Sequence, residues 1–418
     1  MKARAEEEIW DVAVIGGGPA GMMAAGRAAE KGAKVILIEK NKSLGKKLLI
    51  TGGGRCNVTN AELDNKKLLA KFKDSGKFLF SPFSQWSVDK TLEFFHSRNM
   101  PTKEEANQRV FPLSNTARSV WDTLVNYLET TNVTVMPSAT VVRLQHRGGN
   151  ITEAELKGGK TIRAKKFILA TGGLSHPETG STGDGYAWLR DLGHTVLGAS
   201  AALVPIALMD PAKRAAGVSV QNAKITLYQN EVQQAQARGK ILFTHVGLSG
   251  PGILNMSHEI GELLKYGAVH LEIDLLPDMG YEKVNAVLQN ALKHNSNKMI
   301  KNSLSEFLAP ALVPLVLQKA QIDPEAFCNG VTREARIRLM KTLKHLGFDA
   351  KHLLGMDKAV IVAGGAALTE IDFKTMRSLK YQNLFLVGDI LDINRPSGGY
   401  SLQLCWTTGY VAGTAAAT

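Results

Sequence analysis

The sequence predicts an α/β protein whose parallel-sheet domain is assembled from two distant parts of the chain, with a β-rich and a helical segment inserted between them. Three observations predict it. A strand, a glycine turn, a helix and a second strand follow one another between Val12 and Ile38. A further strand, Leu384–Val387, runs into Gly388-Asp389 and a last helix over Ser401–Ala417. Between them the texture changes to alternating strand-like runs from about Gly198 to Leu276, such as Lys224–Tyr228 and Val269–Leu275, and then to a helical pattern from Pro277 to about Lys344.

The first element, Val12–Ile15, is a short β-branched run followed by Gly16-Gly17-Gly18-Pro19-Ala20-Gly21. Ala-rich sequence continues to Glu30, and Gly32 sits where a helix would stop. Val35–Ile38 completes a βαβ unit. Within it, Gly16-x-Gly18-x-x-Gly21 stands between strand and helix, the context that makes this spacing a dinucleotide fingerprint. Gly16 permits the tight turn, Gly18 lets backbone approach a pyrophosphate, and Gly21 lets helix and strand pack closely. The helix N-terminus offers free N–H groups and a positive dipole end to phosphates. Glu39 ends the second strand, about 20 residues on, where a carboxylate accepts from ribose hydroxyls.

That fingerprint serves NAD and FAD alike, and the later segments choose between them. Lys166–Leu169 reads as a strand running into Ala170-Thr171-Gly172-Gly173. Leu384–Val387 delivers Asp389 to the carboxyl edge of the sheet, where ligands bind and where a carboxylate suits ribityl hydroxyls. Ser397-Gly398-Gly399-Tyr400 then opens a helix whose N-terminus suits the N1–C2=O edge of a flavin. FAD is therefore expected. No second GxGxxG unit follows, so any NAD(P)H, as a transient electron donor, would meet the flavin directly.

Composition bounds the alternatives. With 418 residues, 44% of them hydrophobic, the chain has room for about three domains and is neither disordered nor a disulfide-stapled scaffold. Aromatic residues are 6%, which disfavours a stacking platform for single strands. The net charge of +12 suits nucleic acid, a membrane surface, an anionic small molecule, or solubility alone. The basic segments Lys66–Lys77 and Lys293–Lys301 are the candidate phosphate contacts, with solvated helix faces as the simpler reading. Cys56, Cys328 and Cys405 form no CxxC pair, which points to a reducing compartment and away from a zinc site or dithiol chemistry. No apolar run approaches the ~18 residues of a membrane span. Ile9–Ala29 follows Glu6-Glu7-Glu8 rather than a positive segment, so it is read as fold and not leader, and a cytoplasmic location is expected.

Other residues carry specific expectations. Gly52-Gly53-Gly54 removes side chains where backbone would lie against a ligand, and Arg55 beside it is suited to phosphate oxygens. Cys56 either touches the flavin or is a small buried apolar residue. Asp184 is expected to cap a helix opening after Thr182, with flavin contact second. His245, in a Gly/Ser/Pro loop, and Tyr400 are the candidate catalytic proton donors.

Several stretches together resemble one family, bacterial flavoproteins that include aminoacetone-oxidase-like and 3-dehydro-bile-acid Δ4,6-reductase-like members. They are Gly52-Gly53-Gly54-Arg55-Cys56-Asn57-x-Thr59-Asn60, Ala170–Gly173 with Gly180–Tyr186, Phe243-Thr244-His245-x-Gly247-x-Ser249-Gly250-Pro251, and Gly398-Gly399-Tyr400. The resemblance implies a Rossmann-like, glutathione-reductase-like FAD domain over 1–197 and 355–418. A β-barrel-like substrate domain over 198–276 and 345–354 and a helical insert over 277–344 would split it. It implies cofactor contacts from Gly16, Gly18, Ala20, Gly21, Glu39, Lys40, Gly53, Gly54, Arg55, Cys56, Asn57, Thr171, Gly172, Gly173, Thr182, Gly388, Asp389, Gly398, Gly399 and Tyr400, and no metal. The chain departs from the family at Asp389, where Glu is usual, at Ser401, where Asn is usual, along Asn394-Arg395-Pro396, and at Ala363–Ala367. The implied activity is FAD-dependent reduction, with NAD(P)H, of a conjugated carbonyl or double bond in a small molecule. Oxidation of a small amine or alcohol, modification of RNA, and flavin binding without turnover are the alternatives.

Overall fold

The computed structural model describes residues 9–355 and 361–418, so the acidic stretch Glu6–Glu8 lies outside the described residues. The chain divides into two compact units, Met1–Ser200 with Val362–Thr418, and Ala201–Ile361.

In the first unit the fully apolar runs form the centre of a sheet. Ile9–Ile15 pairs in parallel with Val35–Ile38 on one side and Thr161–Leu169 on the other. Thr134–Met136 and Leu384–Leu386 extend the parallel sheet outward, so strands from both segments of the chain share it. Its strands are buried on both faces, Val12, Val14, Ile36, Leu37, Ile168 and Leu386 among them, as a parallel sheet covered by helices requires. An antiparallel hairpin, Val141–Arg147 with Asn150–Leu156, continues from Thr161–Leu169.

The opening helix, Pro19–Glu30, starts with Pro at its first turn and ends ahead of Gly32, which is left-handed with φ +93°. The closing helix, Tyr400–Ala417, lies against it. Gly409 and Gly413 make that contact possible. A Cβ on either would stand 2.5 or 2.4 Å from the carbonyl oxygens of Ala20 and Ala24. The closing helix also holds the turn after Gly52-Gly53-Gly54: Trp406 Nε1 donates to Val58 O at 3.0 Å, and Thr59 Oγ1 donates to Gln403 Oε1 at 2.6 Å.

The second unit is a closed six-strand antiparallel barrel built from Ile206–Leu208, Gly247–Ser249, Val232–Phe243, Ser219–Gln229, Val269–Asp274 and Leu346–Leu353. The helices Tyr281–His294, Val313–Lys319 and Arg333–Lys344 do not form a core of their own. Leu288, Val316, Leu339 and Leu343 join Ile225, Leu271 and Ile273 of the barrel in one buried cluster. Among the described residues no helix is long and apolar enough to cross a membrane.

Candidate cofactor site

The first unit gathers most of the expected site residues at the carboxyl end of its parallel strands. Gly16 follows the first strand with φ +108°, and a Cβ there would lie 2.5 Å from Ala170 O, so two strand ends meet at this turn. A Cβ on Gly21 would stand 1.9 Å from Gly16 O, which fixes that glycine by helix–strand packing. Gly18 differs from both: a Cβ there would meet no atom within 4 Å. Space therefore opens over the middle glycine, at the N-terminus of a twelve-residue helix. Gly53 and Gly54, both left-handed, are open in the same way.

Glu39 is buried, and both its oxygens are engaged. Oε2 accepts from Gly17 N at 2.7 Å, and Oε1 accepts from Asn41 N and Asn41 Nδ2 at 2.7 Å each. It therefore fixes the glycine turn, with lone pairs left for a further donor. Glu39→Ala is expected to weaken dinucleotide binding roughly ten- to hundredfold, the size of one charge-assisted bond. Calorimetric titration with FAD checks this, and unchanged affinity would remove Glu39 from the site.

The second chain segment closes on the first. A Cβ on Gly388 would lie 2.9 Å from Ala20 Cβ, and Gly388 N donates to Thr408 Oγ1 at 3.0 Å. Asp389 is held between two cations, Arg395 at Oδ1 and Lys47 Nζ at 3.3 Å from Oδ2. Burial works to raise its pKa, but Arg395 and Lys47 prevail and hold it at about 2. Gly173 and Tyr186 pack beside this loop, with Tyr186 OH donating to Asp389 O at 3.1 Å. Gly398 and Gly399 are left-handed, and a Cβ on Gly399 would stand 2.3 Å from Thr59 O, which seats the closing helix on the turn around Asn57.

Two buried polar atoms have no hydrogen-bond partner among the described residues and belong to this site, Asn57 Oδ1 and Thr171 Oγ1. Leaving such an atom unpaired costs about 1–3 kcal/mol, so Asn57 Oδ1 calls for a polar partner, whereas Thr171 Oγ1 lies against Gly185, where an added Cβ would stand 2.2 Å from it. The Asn57 orphan and the open space over Gly18 fit a bound dinucleotide.

Some expectations need correction. Arg55 is already engaged: Glu105 binds it, Asn115 Oδ1 accepts from it at 2.6 Å, and its guanidinium lies 4.2 Å from the Phe111 ring centroid. It clamps its own turn through Glu105 and Asn115. Cys56 is fully buried, and burial pushes its thiol up to about 12, so it is a packed apolar side chain. Asp184 does not cap the helix Asp184–Asp191, whose N-cap is Gly183; it pairs with Lys40 Nζ at 2.7 Å, and Lys40 also donates to Thr182 Oγ1 at 2.5 Å. Lys40 and Thr182 thus occupy one another. A Cβ on Gly172 would lie 3.1 Å from Ser181 Oγ, so that glycine serves packing within its loop.

Tyr400 is buried at the first turn of the closing helix, edge-on to Phe72 with ring centroids 6.0 Å apart. Burial, with Glu62 nearby, raises its pKa, so it carries its proton at neutral pH. His245 belongs to the second unit and is exposed on the turn between Val232–Phe243 and Gly247–Ser249. Sequence reading missed Lys47, Ser175 and Asn41. Lys47 had no signal beyond one lysine among many, whereas Arg395 was visible only as a departure from the family pattern.

A family model described as HI0933-like protein Rossmann domain matches residues 10–415. A 3-dehydro-bile acid delta(4,6)-reductase of Clostridium scindens is 30% identical, covering 97% of this chain and 98% of that protein. A ribosomal RNA dihydrouridine synthase of Escherichia coli is also 30% identical, covering 96% of this chain and 97% of that protein. Among solved structures, 3-ketosteroid delta1-dehydrogenase from Sterolibacterium denitrificans superposes with a TM-score of 0.56 at 14% identity, covering 98% of this chain and 99% of that one, a likeness of fold.

Proposed function

The chain belongs to the HI0933-like family and is an FAD-dependent oxidoreductase, and from that premise we propose that it reduces a carbon–carbon double bond conjugated to a carbonyl, drawing electrons from NAD(P)H. The observation that carries the reading is chemical. Two relatives of equal identity, each aligned over nearly the whole chain, are named for a bile-acid delta(4,6)-reductase and a dihydrouridine synthase. Both names describe saturation of a double bond, in a 3-oxo steroid and in uracil, conjugated in each case with a carbonyl.

When bound, FAD supplies hydride to the electron-poor carbon of such a bond. The chain's part is to hold it and to provide a proton. Glu39 and the Gly16–Gly21 turn would hold one end, and Asn57, Thr171 and Asp389 would offer polar contacts at the other. In this reading Tyr400, protonated at neutral pH, gives the second carbon its proton. Tyr400→Phe is expected to slow substrate reduction by about 10²-fold, the lower end of the range for a general acid. Reduction of the flavin by NAD(P)H should stay unchanged, and stopped-flow spectra separate the two half-reactions. His245→Ala run beside it tests the other candidate donor.

The experiment that tests the activity is anaerobic. NADH or NADPH should bleach the flavin absorbance of the purified protein, and a conjugated enone should restore it. Flavin that neither nucleotide reduces would sink the NAD(P)H reading. Rapid reoxidation by air alone would favour an oxidase.

A second reading, reduction of a uracil within RNA, is favoured by the +12 net charge and by the exposed Lys66, Lys67, Lys71 and Lys77. It predicts RNA binding that weakens steeply with added salt. Absence of binding at low salt would leave the small-molecule substrate.

A further inference from the structure

The loop that enters the closing helix carries a buried cation. Arg395 is 3% exposed. Its guanidinium donates to Ile393 O at 2.7 Å, to Ser401 Oγ at 3.1 Å and to Asp389 Oδ1. Lys47 Nζ approaches the other Asp389 oxygen and also donates to Ser175 Oγ, itself buried. One carboxylate thus faces two cations. Asp392, the next acidic residue in the loop, accepts instead from Gly364 N at 3.1 Å.

The bonds to Ile393 and Ser401 pin Arg395 to the first turn of an 18-residue helix and to the loop before it. Its charge is therefore fixed at the end of the helix where the backbone dipole is already positive. Cations crowded around a single carboxylate in a partly dry site are relieved by an anion arriving beside them. Expected cofactor contacts lie on both sides of the cluster, Asp389 before it and Gly398, Gly399 and Tyr400 after it. A flavin ring changes from neutral to anionic when it is reduced and loses a proton from N1, so its charge responds to such surroundings.

We propose that Arg395, seconded by Lys47, sets the redox potential of the flavin in this protein by favouring the reduced, anionic ring, and that Asp389 opposes them. The proposal rests on the FAD assignment above and adds a determinant of driving force to it. Arg395 acts here as an electrostatic positioning residue and takes no part in proton or hydride transfer. If it were only a strut for the loop, its removal would change stability without regard to the sign of charge.

The test compares wild type, Arg395→Lys, Arg395→Met, Lys47→Met and Asp389→Asn, each reconstituted with FAD. FAD affinity is read by fluorescence quenching, and the two-electron midpoint potential by equilibration with a reference dye. Arg395→Met should lose about tenfold of the preference for the reduced ring, a midpoint lower by about 30 mV. Lys47→Met should move the same way, Arg395→Lys should remain near wild type, and Asp389→Asn should move upward. Should Arg395→Met fail to fold, the opposite shifts of Lys47→Met and Asp389→Asn still decide. The proposal is overturned if Arg395→Lys falls as far as Arg395→Met, if removing a cation and removing the carboxylate shift the potential the same way, or if nothing shifts. A wild-type protein that takes up no FAD would overturn the cofactor assignment and this proposal with it, and is told apart from a yellow protein whose potential ignores these charges.

Discussion

A Gly18→Val protein is expected to fold normally and to purify without colour. Gly18 has φ −78° and ψ −178°, an extended conformation that valine adopts readily. No protein atom lies within 4 Å of a Cβ placed there, so the folded chain has room for the side chain. What the side chain would occupy is the approach of the pyrophosphate to the helix N-terminus. A branched side chain in that space should cost roughly 3 kcal/mol or more by overpacking, on the order of hundredfold in FAD affinity. The check is paired: flavin content after purification, and thermal unfolding of the protein stripped of flavin. A yellow variant, or a colourless one that has also lost its thermal transition, would refute the division of labour assigned to this glycine.

Gly21→Val should fail in the opposite manner. Three residues further on, a Cβ would stand 1.9 Å from Gly16 O and 3.1 Å from Ala170 Cβ. Neither neighbour is a flexible side-chain end, so the opening helix must move off the sheet. The expected loss is about 3 kcal/mol of stability or more, at the upper end of what overpacking costs in a core. In a domain of this size that lowers the unfolding temperature by several degrees at least. Denaturant unfolding without FAD measures it. Equal stability of Gly21→Val and wild type would refute the close packing of helix on strand at Gly21.

The contrast between these two glycines marks what a sequence discloses. Their spacing, with Glu39 about 20 residues on, is local, and strand, turn and helix follow from neighbours in the chain. The opening strand and helix, the second strand and the closing helix are legible for that reason. The partners of the charged groups are not. Arg55 carries the same charge whether it faces a phosphate or Glu105, and nothing in its neighbourhood reveals that a carboxylate fifty positions later folds against it. Asp389 was readable as a carboxylate at a sheet edge. Arg395 stands only six positions after it, but Lys47, on the short helix Lys46–Ile50, reaches it only through tertiary structure. The texture of the insert distinguished strands from helices, while their shared core depends on contacts such as Leu343 with barrel residues that periodicity does not register.

The packing of the closing helix on the opening one has a consequence for how the protein is made. Ile9–Glu30 leaves the ribosome well before the helix that covers it, with Gly409 and Gly413 against Ala20 and Ala24. At ~5–20 residues per second the delay is on the order of tens of seconds. During it Met22, Met23 and Ala24, all fully buried in the finished protein, await part of their cover. The barrel unit is contiguous from 201 to 361, so it emerges whole and is free to fold during that interval. Translation therefore completes the inserted unit before its host. Pulse-labelled ribosome-bound chains stalled far enough past residue 361 for that unit to have cleared the exit tunnel should show a protease-resistant barrel and a protease-sensitive opening segment.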